Sequence, residues 1–64
     1  MIDAAPQLAR MLDDPDWWVR FRAGEALTRL GDVGQRALEE AAASAFPRAR
    51  QAAALTLAER GMVA

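Results

Sequence analysis

Two groups of residues in this 64-residue chain have the types from which catalytic or metal chemistry is built: the acidic run Asp13-Asp14-Pro15-Asp16 and the pair Glu39-Glu40. Clustered carboxylates can divide the roles of general acid and base, or they can hold a hard cation. The aspartate run lacks the glycine and the distal glutamate of a calcium-binding loop. Glu39 and Glu40 are neighbours in a helical stretch, so they point in different directions and cannot act on one bond. The chain has no His and no Cys, which removes the commonest general base, the thiol nucleophile and the softer metal ligands. No catalytic residue, metal site or cofactor is expected.

Binding chemistry is better represented. Arg20, Arg22, Arg48 and Arg50 could form a strip that attracts phosphate. Eight basic against nine acidic residues, however, leave a net charge of -1, which is not the basic footprint of a nucleic-acid-binding domain. Nucleic acid is therefore not the expected partner. Trp17, Trp18 and Phe21 are the more telling group. A helix turns by about 100° per residue. With Val19 at the centre of the buried face, Trp17, Phe21, Gly24 and Thr28 fall together on the far side. Trp18 lies beside Arg22, Glu25 and Arg29. Gly24 opens a shallow gap that another helix can enter, at a cost of up to about 1 kcal/mol in helix propensity. Trp17, Trp18, Phe21, Arg22 and Gly24 are thus candidate partner-binding residues. Aromatic residues and arginine dominate interface hot spots. The competing reading is that one ring covers the turn and the other packs on a neighbouring repeat lying outside this chain.

The elements that must position these residues are helical throughout. Alanine, leucine, arginine and glutamate dominate, every basic residue is Arg, and 53% of the chain is hydrophobic; helix propensity is high almost everywhere. Breakers at Asp13–Asp16, Gly31-Asp32 and Ser44–Pro47 predict four helices, at about 4–12, 17–30, 33–43 and 47–60. Val19, Ala23, Ala26, Leu27 and Leu30 give the second helix one apolar face. Leu8, Met11 and Leu12 do the same for the first. Asp16 is the expected N-cap of the second helix, and Asp32 with Gln35 the expected capping box of the third. Asp3 is a possible cap for the first, where Pro6 fits the first turn. No uncharged run approaches the roughly 18 residues of a membrane span, and no export signal is visible. A cytoplasmic location follows as the expectation.

A shift of thirty positions places Leu8 on Leu38, Arg20 on Arg50, Ala23 on Ala53, Leu27 on Leu57 and Gly31 on Gly61. A helix pair repeated at a fixed period is the mark of a stacked helical array. The stretch from Leu8 to Asp32, with its Asp-Pro-Asp turn, its Val19-Arg20 helix opening and its Ala26-Leu27 and Leu30-Gly31 close, resembles a HEAT repeat. That resemblance implies a structural pair between the turn Asp14 and Arg20. In the second unit it retains Arg50 but finds Ser44 in place of the aspartate. It also implies a two-layer α-solenoid of antiparallel helix pairs, with the second helix of each pair on the concave side.

The expected fold is therefore all-α, one domain of two HEAT-like repeats at about 3–31 and 32–61, as a fragment or end of a longer array. The expected function is a non-catalytic protein–protein interaction or scaffold module. The alternatives are a capping unit that self-associates as a homo-oligomer and, more weakly, a phosphate-binding surface. Arrays generally need three or more units before burial outweighs chain ordering, and alanine contributes little apolar area. Part of the stability is accordingly expected from self-association, so the thermal midpoint should rise with protein concentration. A midpoint unchanged over two decades of concentration would overturn this expectation.

Overall fold

Each breaker in the sequence ends a helix. The computed structural model describes residues 4–62, and the possible cap Asp3 lies outside them. Helix α1 spans Ala5–Met11, α2 Trp17–Arg29, α3 Asp32–Ala42 and α4 Pro47–Met62. Asp16 caps α2 as its residue type suggests: extended backbone, with a side-chain oxygen accepting the Trp18 N–H at 2.8 Å. Pro6 and Pro47 sit in the first turns of α1 and α4, where a missing N–H costs nothing.

Two expectations about helix ends are corrected. Asp32 is not the N-cap of α3. That position is Gly31, which carries no side chain, while Asp32 already belongs to the helix. The connection from α2 is so short that Asp32 is drawn into the first turn, where its carboxylate still favours the helix dipole. Gln35 consequently makes no capping box: its side chain bonds Glu39 and accepts from Arg60. Gly61 does not end α4 as Gly31 ends α2, since α4 continues to Met62.

The helices pack as two pairs, α1 with α2 and α3 with α4. The first helices of the pairs lie side by side, and so do the second helices. The bond from Arg60 near the end of α4 to Gln35 near the start of α3 holds that pair antiparallel. Across the pairs, Arg48 Nε at the start of α4 donates to the Asp13 carbonyl in the first turn at 3.1 Å. The core between the layers holds Leu12, Leu27 and Leu38, all fully buried, surrounded by Ala5, Ala23, Ala41, Ala49 and Ala53. No polar or charged residue is buried among the described residues. Three leucines form most of the apolar anchor, each contributing roughly 1.5–3 kcal/mol on full burial. Among the described residues, no helix is long and apolar enough to cross a membrane.

Alanine in the core brings helices close, and glycine completes the approach at two points. A Cβ on Gly34 would lie 1.6 Å from the Leu27 carbonyl oxygen, so α3 rests directly on the backbone of α2. A Cβ on Gly24 would lie 2.4 Å from Thr56 Oγ1 on α4, a side chain that can turn away. Gly31 has open space around it but adopts φ 70, a conformation that side chains resist. Gly34→Ala is therefore expected to be the most damaging of the three alanine substitutions, by about 1–3 kcal/mol or more. Chemical denaturation of Gly24→Ala, Gly31→Ala and Gly34→Ala checks the order, and an unshifted midpoint for Gly34→Ala would contradict it.

Candidate partner-binding site

The turn before α2 is built from short-range hydrogen bonds. Asp14 Oδ1 accepts the Asp16 N–H at 2.8 Å, so its carboxylate closes the turn. Arg20 reaches the same turn, but through the main chain. Its Nη1 donates to the Asp14 carbonyl at 2.8 Å and to the Pro15 carbonyl at 3.0 Å. The Asp14–Arg20 carboxylate pair implied by the family resemblance is therefore replaced by a cation on carbonyls. The physical reason is that the Asp14 carboxylate is already engaged inside the turn, while two carbonyls converge one turn below the guanidinium. Ser44 then ceases to be an exception. Its Oγ accepts the Phe46 N–H at 3.0 Å, and Arg50 Nη1 faces the Ser44 carbonyl at 3.5 Å. The two turns repeat one motif thirty residues apart.

Above the first turn, the three rings of α2 stand in solvent and stack on one another. Trp17 and Phe21 are nearly parallel with centroids 5.5 Å apart, and Trp18 stacks on Phe21 at the same distance. Trp17 is 61% exposed and Trp18 53%, so both rings keep about half their surface open to solvent. The Arg22 guanidinium lies over the Trp18 ring at 5.6 Å and pairs with Glu25 at 3.5 Å. Gly24 meets another helix as expected, and that helix is the chain's own α4: Gly24 is buried against Thr56 at the seam between the pairs and is not open to an outside partner. The arginines of the expected strip each have a partner within the chain. Arg20, Arg48 and Arg50 bond turn carbonyls and Arg22 bonds Glu25.

The rings form one bank of a furrow between α2 and α4. Its upper part, a hollow of about 540 Å³, is lined by Trp17, Arg20 and Phe21 from α2 and by Gln51, Leu55 and Glu59 among others from α4. A shallower hollow of about 330 Å³ continues it toward Thr28, Arg29 and Arg60. Leu55 is 59% exposed, an isolated large apolar side chain opposite the rings. Sequence reasoning passed over this second bank because α4 has few large residues and no clear apolar stripe. The one signal is Leu55 itself, which lies off the face defined by Ala49, Ala53 and Leu57. The aspartates of the acidic run are part of the turn, and no group of three or more potential metal ligands occurs among the described residues. What this arrangement offers is an amphipathic trough: aromatic and aliphatic banks, one cation at its head and polar side chains along its length.

Two stacked helix pairs, clamped at matching turns and layered helix by helix, define a short α-solenoid of repeats. The family model for HEAT repeats matches residues 2–58, and the chain belongs to the HEAT-repeat family. HEAT repeats are generally non-catalytic modules that often mediate protein interactions. Comparison with curated proteins and with solved structures returns no match.

If Arg20 clamps carbonyls, Arg20→Ala should destabilise the chain by about 1–3 kcal/mol, whereas exposed Arg10→Ala and Arg29→Ala should stay within about 0.5 kcal/mol. Asp14→Asn keeps an oxygen for the Asp16 N–H and should also be nearly neutral. Thermal and urea unfolding of the four variants decide the matter. An Asp14→Asn loss equal to that of Arg20→Ala would restore the carboxylate pair.

Proposed function

We propose that this chain is a non-catalytic protein-interaction module whose binding surface is the furrow between α2 and α4. The observation that carries the reading is the inversion of side-chain size. The core is filled by alanine and three leucines, while Trp17 and Leu55 stand in solvent on opposite banks of one trough, with Trp18 stacked behind Phe21. Burying a large ring stabilises a complex far more than burying alanine, so the chain holds its greatest unrealised burial at that surface. Trp17, Phe21 and Leu55 are the anchors. Trp18 and Arg22 form the rim, with the Arg22–Glu25 pair keeping the outer ring in place. The furrow lies between the second helices of the two repeats, which suits an elongated partner segment more than a compact ligand.

Selection from a random-peptide display library on the immobilised chain tests this. Binders are expected, and Trp17→Ala or Leu55→Glu should weaken them about tenfold or more, the usual scale for a hot-spot residue. Met11→Ala, at the outer end of α1, should leave them unchanged. Recovery of no binder, or binders that depend on Met11 and not on Trp17, would overturn the proposal. Light scattering beside the selection shows whether a second copy occupies the furrow; a tight dimer that Leu55→Glu dissociates would give the surface to self-association.

A further inference from the structure

We infer that the furrow recognises an acidic–apolar peptide segment, with a partner carboxylate seated on Arg20 and the apolar side chain beside it held between Phe21 and Leu55. The inference rests on the furrow being the binding surface and adds the chemistry of what enters it. Arg20 is the only cation lining the upper hollow. Its two turn contacts both use Nη1. A guanidinium has five N–H donors in one plane, so Nε–H and the Nη2 hydrogens remain unengaged among the described residues. They are not sealed in, because no buried side-chain nitrogen or oxygen lacks a partner among the described residues. The two carbonyl bonds also hold the plane of the group. The edge left free on this lining residue is Nε–Nη2, the fork that takes a carboxylate through two parallel bonds.

The surroundings favour an anion there. The ion pair among the described residues joins Arg22 to Glu25 and leaves Arg20 without a carboxylate partner. Trp17 and Phe21 flank the site with apolar surface, which excludes water and strengthens a charged bond beyond its weak value in the open. Glu59 lines the other end of the hollow and also has no ion-pair partner. It sets a direction: the acidic residue of the segment lies at the turn end and any basic residue at the Glu59 end. A nucleic acid is the poorer occupant, since the upper hollow sets a single cation beside Glu59, and one phosphate contact against a nearby carboxylate contributes little.

The test uses the whole chain and two blocked peptides, identical except that one carries glutamate and the other glutamine before a pair of leucines. Trp17 and Trp18 fluorescence reports binding. The glutamate peptide should bind about tenfold more tightly, and the advantage should shrink at high salt. Arg20→Lys keeps a charge but loses the fork, and should remove most of that preference with helix content unchanged. Should Arg20→Lys fail to fold, Leu55→Glu serves: it leaves the turn intact, sets a carboxylate in the furrow, and should abolish glutamate-peptide binding. Equal affinity for the two peptides, or a single-stranded oligonucleotide binding more tightly than either, would overturn the inference. Library binders without acidic residues would overturn the inference and leave the interaction surface standing; no binder at all would remove both.

Discussion

The structure depends on how closely its helices approach. Gly34 lets α3 lie on the carbonyl of Leu27, and Gly24 lets α4 bring Thr56 against α2. Alanine fills the remaining positions between the layers. At such separations the interior accepts no ring, and dispersion contacts between backbone and methyl groups replace the large side chains of an ordinary core. The position of every large residue follows from that constraint. Leu12, Leu27 and Leu38 occupy the three sites wide enough for them, while the rings stay at the surface, where Trp17, Phe21 and Leu55 line one trough, Trp18 stacks beside them and Phe46 lies apart.

A second device makes the pairs stack in register. Each turn between paired helices is closed by a side-chain oxygen two residues before an N–H, and is gripped from the following helix by an arginine on its carbonyls. Because the arginine reads main-chain oxygens, the turn residue is free to be Asp14 in one repeat and Ser44 in the other. Arg48 adds a bond across the repeats, from the start of α4 to the first turn. The clamp also has a by-product. It fixes the guanidinium of Arg20 at the head of the furrow through Nη1 and leaves its Nε–Nη2 edge unbonded among the described residues, which is the group the proposed recognition uses.

Membership in a family of generally non-catalytic repeats, small interior residues and a furrow with displaced rings all support the proposed binding role. The aspartates that first suggest chemistry are consumed by the turn geometry. The arginines that suggest a phosphate strip are divided among carbonyls and Glu25. What survives as unpartnered surface is apolar and elongated, with one oriented cation.

Helix number, order and approximate ends were legible in the sequence, because they are set locally: Pro15, Gly31 and Pro47 break the chain, Asp16 caps, and the spacing of Leu27 and Ala23 marks the buried face. The period of thirty, and with it the repeat class, was equally legible. The rings of α2 could be placed on the outer side by helix geometry. Tertiary structure decided the rest. Gly24 is read from sequence as a gap that another helix approaches, and packing decides that this helix is α4 of the adjacent repeat, with Thr56 opposite it. Asp14 and Arg20 are read as an ion pair, yet the choice between a carboxylate and a carbonyl depends on which group the turn has already engaged. Leu55 and Glu59 belong to a helix with no aromatic signal and join the furrow only because α4 lies beside α2. Local signals determine where helices begin and which face is apolar. Which groups finally meet is set by distances between residues some thirty positions apart, and a linear pattern does not contain those distances.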